Sequence, residues 1–271
     1  MESVLNAVTR PVILFAWLFV LFVIEIRIPL TVSNRRIILP NILFTFLSII
    51  IYSLFGLLII LVGTWTSANH FGVFNWADTN IWITLILSVM LLDFWAAYVS
   101  HILMHKIGWL WKAHSVHHSD TMVDVTTALR HHPVESVVRS VFLLSGMFML
   151  GSAAWVVVVY QTLSTFIAQI EHSNISINPR VDKLLQLAFS TPNYHKIHHS
   201  KFQPETDSNY GNIFSLWDRI FSTMKKRNSY NNIEYGLNNL EGAKNFTFAD
   251  LLKLPYRKPV KRDDISKNQT D

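Results

Sequence analysis

The 271-residue sequence contains no cysteine, which excludes disulfides, zinc ribbons, thiolate-held clusters and cysteine nucleophiles together. Any metal must be held by nitrogen or oxygen. Charge is scarce too: 15% of residues are Asp, Glu, Lys or Arg against 51% hydrophobic ones, a balance expected of a chain that lives in lipid. The net charge of +5 is unevenly placed, with 15 of the 23 Lys and Arg residues following His172. That asymmetry suits a cytoplasmic membrane face and not a nucleic-acid groove.

Four runs are nearly or wholly free of charge. Residues 11–24 form the first, which ends at Glu25 and Arg27 and lacks a small-residue cleavage site, so a retained span or anchor is expected there and not a signal peptide. Residues 37–65 give 29 positions without one charge, above the roughly 20 that a helix needs to cross a bilayer core. Residues 81–103 carry a single charge, Asp93, and the loop before them, 66–80, has neither Lys nor Arg. Arg35 and Arg36 in the preceding turn and the basic tail place that loop outside and the tail in the cytosol. Residues 140–170 make a fourth run of 31 positions, and at about 1.5 Å per residue a straight helix of that length would exceed the membrane. A hairpin returning to the cytosolic side is expected, turning near Ser145, Gly146, Gly151 and Ser152.

The abundant chemistry is imidazole. Of 12 histidines, all but His70 lie between His101 and His199. His101 and His105 (HILMH) are four apart and share a helix face; His114, His117 and His118 (HSVHH) repeat the offsets three and four, as do His195, His198 and His199 (HKIHH). His172 stands between them, at the far end of the expected hairpin. Isolated histidines are usually surface or core groups, and His70 and His131 are read that way, whereas the repeated boxes read as a metal site. His132 is kept as a candidate, since Pro133 would fix it beside the site.

Imidazole suits iron, copper, zinc and nickel alike, but eight or nine histidines overfill one zinc site, so two metals with four or five nitrogens each are expected. No HExxH motif is present, and no carboxylate stands inside a box to serve as a hydrolytic base. A redox pair is the better candidate. The acids available to orient the ring nitrogens facing away from the metals are Asp93, Asp120, Asp124, Glu135, Glu171 and Asp218. Asp93 carries most weight, because an ionisable residue inside a span is a functional candidate by default.

The segments DFWAAYVSHILMH, LWKAHSVHHSD, ALRHHPVE, QIEHSN, TPNYHKIHH and NYGNIFSLWDRIFST resemble, in order and spacing from about Asp93 to Thr223, the fatty acid hydroxylase and sterol desaturase superfamily of integral-membrane di-iron oxidases. The resemblance implies an all-α, multi-pass helical bundle under a cytosolic histidine-rich cap with a dimetal site. It implies His101, His114, His117, His195 and His198 around one metal, and His105, His118, His172 and His199 around the other. Where some members have a further histidine, this chain has Ala168, leaving the second metal short of one protein ligand, to be completed by water or His132. Asp93 and His132 are the candidate catalytic residues beside the nine ligands.

The activity implied is oxidation of a lipid C–H bond by O2 at two iron ions, with zinc able to substitute in purified protein; desaturation and ether cleavage are variants of the same site. Electrons must come from outside, since no GxGxxG or HPGG-type segment is present, so a reductase, ferredoxin or cytochrome b5-type donor is an expected partner; Lys225, Lys226 and Arg227 are either its docking surface or a membrane-facing or solvated charge run. The competing reading is a histidine-lined metal store or transporter, whose ligands would sit near mid-span. The expected organisation is N-terminal spans and external loop over residues 1–80, a catalytic unit over 81–225 and a polar tail over 226–271, disordered beyond Leu254. The expected membrane is a bacterial inner membrane, or the endoplasmic reticulum of a eukaryote.

Overall fold

The computed structural model describes residues 2–32, 38–77, 79–237 and 246–257, with side chains from residue 12 onward. Its long elements are α1 (Glu2–Arg27), α2 (Ile38–Ala68), α3 (Ile81–Lys106), α4 (Gly108–His118), α5 (Pro133–Leu150), α6 (Ala154–His172) and α7 (Pro192–His198). Among the described residues there is no sheet, only isolated bridges such as Pro29 to Ile175. Among the described residues three stretches are long and apolar enough to cross a membrane: Ile38–Trp76, Ile81–Lys106 and Pro133–Leu150. α1 carries the first apolar run, residues 11–24.

The boundaries follow local chemistry. Asn80 opens α3 by accepting a hydrogen bond from the Trp82 N–H at 2.9 Å. Over Asp93–Val99 that helix widens into a π-helical turn, which rotates the following residues relative to a regular α-helix and so sets the face on which His101 and His105 emerge. α5 begins with His132 as cap and Pro133 in its first turn, where the missing N–H is harmless.

α5 stops at Gly151, left-handed with φ 67°, and the Ser152 N–H closes back on the Met147 carbonyl at 3.1 Å. The charge-free run 140–170 therefore reverses, and both of its ends lie at the same end of the bundle. The reversal occupies Gly151, Ser152 and Ala153 only. Ser145 and Gly146, expected to help the turn, lie inside α5, where a Cβ on Gly146 would come within 3.0 Å of Trp95 and 3.1 Å of Leu92. Small size there serves helix packing, as at Gly63 against Met147 and Ala154. The core between α2, α3, α5 and α6 contains Ile59, Val89, Leu92, Leu143, Met147 and Val157.

Polar ties fasten this bundle to the cap above it. Glu25, fully buried at the end of α1, accepts from the backbone N–H groups of Val125 (2.7 Å) and Asn174 (2.6 Å). Asn41 near the start of α2 donates to Thr126 (2.9 Å) and accepts from Arg130 (2.7 Å), whose guanidinium also reaches Ser119 (3.1 Å) and Asp120 (3.3 Å). The ends of two helices are thus pinned to the segment joining α4 to α5. Arg35 and Arg36, and the tail charges Lys258, Lys261, Arg262, Asp263 and Asp264, fall outside the described residues.

At Gly151 a Cβ would stand 2.4 Å from the Phe71 carbonyl and 2.6 Å from Asn75 Nδ2. Gly151→Val is expected to destabilise the fold by about 1–3 kcal/mol or more, read as a lower melting temperature in detergent. A variant melting with the parent would show that the reversal does not depend on this glycine.

Candidate metal centre

Nine buried histidines gather into two groups: His101, His105, His114, His118 and His198 in one, His117, His172, His195 and His199 in the other. Within each, the ligand atoms lie within 4.8 Å of one another. Helix geometry explains the division. Residues four apart point the same way, and those three apart diverge by about 60° in the opposite sense. So His101 and His105, and His114 and His118, serve the first group, and His195 and His199 the second. The odd member of each HxxHH box crosses over: His117 turns to the second group and His198 to the first. Neighbours within a box therefore face apart, the rings of His117 and His118 at 89°, as are those of His198 and His199.

The grouping differs from the division implied by the resemblance. His117 and His195 leave the group of His101, His114 and His198 and join His172 and His199; His105 and His118 move the other way. Splitting pairs four apart on one helix would require rings that share a face to point to different centres.

The outward nitrogens decide what the inward ones offer. His101 Nδ1 meets the Tyr210 carbonyl (3.0 Å), His198 Nδ1 the Ser208 carbonyl (2.8 Å) and His172 Nδ1 the Ala168 carbonyl (2.7 Å). A carbonyl only accepts, so each Nδ1 carries the proton and each Nε2 presents a bare lone pair. His172 Nε2 nevertheless has three other Nε2 atoms around it, those of His117 (3.0 Å), His195 (3.1 Å) and His199 (3.1 Å). One lone pair cannot accept three N–H groups, and bare lone pairs repel, so the arrangement fits a shared cation. In the other group, His114 Nε2 lies 3.0 Å from His101 Nε2 and 3.2 Å from His118 Nε2, and His198 Nε2 is buried without a hydrogen-bond partner.

The spacing also bears on coordination. Nitrogens about 2.1 Å from one ion stand about 3.0 Å apart at a right angle and about 3.4 Å apart in a tetrahedron. The observed 3.0–3.2 Å lies within the range expected of nitrogens that share one ion. Burial, reinforced by the neighbouring rings, holds His117, His118, His195, His198 and His199 well below the ordinary imidazole range. They are neutral at physiological pH, the form in which imidazole binds a metal.

Carboxylates support the rings from outside. Glu135 Oε1 lies 3.0 Å from His114 Nδ1, 3.7 Å from His131 Nε2 and 2.9 Å from Arg139 Nε. Glu171 reaches His195 Nδ1 at 3.8 Å. Asp207, absent from the acids singled out in the sequence, meets His105 Nδ1 at 3.2 Å and Lys106 Nζ at 3.0 Å. The remaining acids act on the frame. Asp218 accepts from the Tyr194 hydroxyl (2.6 Å) and the N–H groups of Tyr210 (2.9 Å) and Gly211 (2.7 Å), fixing the loop whose carbonyl holds His101. Asp124 caps the 3-10 turn Val125–Leu129, and Asp120 bonds Thr127 at 2.8 Å. Lys196, inside the third box, is fully buried, and burial lowers its pKa to about 7 against the attraction of Glu25 and Asp124.

Two candidates are not brought to the histidines. Asp93 accepts from the N–H groups of Ile213 (3.1 Å) and Phe214 (3.3 Å) and from Trp217 Nε1 (2.9 Å), a clamp on the loop after the third box. His132 has both nitrogens engaged, accepting from the Val134 N–H (3.2 Å) and donating to the Leu252 carbonyl (3.2 Å), so it does not fill the place left by Ala168. His131 lies closer, its ring stacked 5.1 Å from His117. His70 is exposed, with φ 47°.

The family model described as fatty acid hydroxylase matches residues 85–223. Alkylglycerol monooxygenase of Caenorhabditis elegans is 28% identical over 142 residues, 52% of this chain and 27% of the relative. Ornithine lipid hydroxylase of Rhizobium tropici is 28% identical over 155 residues, 57% of this chain and 45% of the relative. A cholesterol 25-hydroxylase-like protein of Danio rerio is 25% identical over 138 residues, 50% of this chain and 53% of the relative. The chain spans less than half the length of the first two. No solved structure matches.

If Glu135 holds His114, then Glu135→Gln should weaken metal retention about tenfold or more, measured by competition with a chelator, while His132→Ala retains metal like the parent. Equal retention by Glu135→Gln would remove Glu135 from the support of the site.

Proposed function

The chain belongs to the fatty acid hydroxylase family, and from that premise we propose that it is a membrane-bound di-iron oxygenase that inserts one atom of O2 into a C–H bond of a lipid. The observation that carries this reading is the pair of adjacent groups built from imidazole alone. Iron held there would supply the reductive activation of dioxygen. The balance is RH plus O2 plus two electrons and two protons giving ROH plus water, and the electrons come from an external reductase, ferredoxin or cytochrome b5-type donor.

The chain's own residues set the conditions for that chemistry. Outward carbonyls fix the tautomers of His101, His172 and His198, and carboxylates stand against the outer nitrogens of His105 and His114, so that these lone pairs point inward. His101, His105, His114, His118 and His198 would hold one iron; His117, His172, His195 and His199 would hold the other with one protein ligand fewer, leaving room for a small exchangeable molecule. Burial of all nine rings keeps bulk water away. Lys225, Lys226 and Arg227 support a cytosolic cap by the positive-inside rule, on the side where a soluble donor could reach it. The groups lie at helix ends and in the cap, not at mid-span, which disfavours a metal transporter.

Chain purified with reductant should hold about two iron ions, one per histidine group, and transfer label from 18O2 into lipid when an electron donor is added. His198→Ala should remove turnover. Metal binding with no consumption of O2 in the presence of donor and lipid would contradict the oxygenase reading.

A further inference from the structure

A groove of about 310 Å³ lies beside α3, walled by Phe94, Tyr98, Val99 and Ile102 of that helix and by Phe221 and Thr223 of the cap. We propose that this groove receives the alkyl chain of the lipid substrate sideways from the membrane, and that Tyr98 and Tyr210 form the wall between that chain and the five-histidine group. The inference rests on the oxygenase reading for the word substrate, but not for the binding itself.

Depth identifies the occupant. About 20 residues counted from Ile81 carry α3 through the hydrocarbon core to about residue 100. Phe94 and Val99, both part-buried, therefore stand at the level of the acyl chains of the leaflet under the cap, with Tyr98 buried behind them and Ile102 at the boundary. A soluble partner protein does not reach that depth. No charged side chain lines the groove, so a headgroup has no counter-ion there, whereas an alkyl chain loses nothing by entering. The apolar surface continues outward through Ile220 and Phe221, 57% and 51% exposed.

Distance connects the groove to the metal centre. The rings of Phe94, Tyr98 and Phe221 stack on one another at 5.5–6.1 Å and make the floor. Behind them the Tyr210 ring stands edge-on to Tyr98 at 6.4 Å and lies 5.1 Å from the His105 ring and 5.5 Å from those of His101 and His198. Tyr98 is held in place by Thr223, oxygen to oxygen 2.8 Å, and Thr223 in turn donates to Asp218 at 2.5 Å. The wall is two side chains thick and anchored to the same acid that positions the Tyr210 backbone.

The test uses full-length, iron-loaded protein in phosphatidylcholine vesicles in which a fraction of the lipid carries a diazirine at mid-chain. After irradiation, the labelled peptides are mapped. Label is expected to concentrate on the peptides holding Phe94 to Ile102 and Phe221, and Ile102→Trp is expected to reduce it about fivefold or more, the lower range for an overfilled apolar site, with iron content unchanged. If Ile102→Trp loses iron, Phe221→Ala, which widens the groove, is expected to raise the label instead. Label spread evenly over the exposed faces of α1 and α2, or indifferent to these substitutions, overturns the proposal. No turnover is involved, so groove labelling without lipid oxidation would count against the oxygenase reading alone, and oxidation without groove labelling against the groove alone.

Discussion

Neutral imidazoles with lone pairs converging to 3.0–3.2 Å repel unless a cation stands among them, and in a dry interior that repulsion is not screened by water. The surrounding structure can be understood as what is needed to hold nine rings in that position. Each ring must be prevented from turning away, so its outer nitrogen is tied to a carbonyl or a carboxylate where the fold provides one. The carbonyls of Tyr210 and Ser208 come from a loop that has no regular secondary structure, and that loop is in turn fixed by Asp93 and Asp218. Two acids that touch no histidine are in this sense as necessary to the centre as those that do.

The same requirement reaches the membrane-spanning part. His172 can meet His117 only if the run from α5 to α6 returns to the end at which it started, which makes the left-handed turn at Gly151 a condition of the site and not a detail of the far end. Glu25 and Asn41 bring the ends of α1 and α2 to the cap with buried hydrogen bonds, so the helices outside the histidine boxes also bear on them. The two groups are unequal. The larger has Glu135 and Asp207 against its rings at 3.0 and 3.2 Å, whereas the smaller has only the longer approach of Glu171 at 3.8 Å. Negative charge beside a ligand ring strengthens its donation, so the five-histidine group is the more firmly held.

Much of this was legible in the sequence. Uncharged length revealed the spans, and the excess length of one run together with the histidines on either side of it required the hairpin. The boxes named all nine grouped histidines because spacing of three and four on a helix is a strong periodic signal. The family likeness pointed to a division different from the one in which the structure groups the rings, where pairs four apart on one helix stay together. Roles that depend on contacts distant in sequence were not legible: Asp93 as a clamp more than a hundred residues from its partners, His132 as a helix cap, and the carbonyls that fix tautomers, which have no side-chain signature at all. Asp207 could have been suspected only from its place soon after the third box.

Diffraction from the iron-loaded protein, recorded at the iron absorption edge, tests the central claim most directly. Two anomalous peaks are predicted, one surrounded by nitrogens of His101, His105, His114, His118 and His198 and the other by those of His117, His172, His195 and His199. A single peak, or two peaks that divide His101 from His105 or His195 from His199, would contradict it.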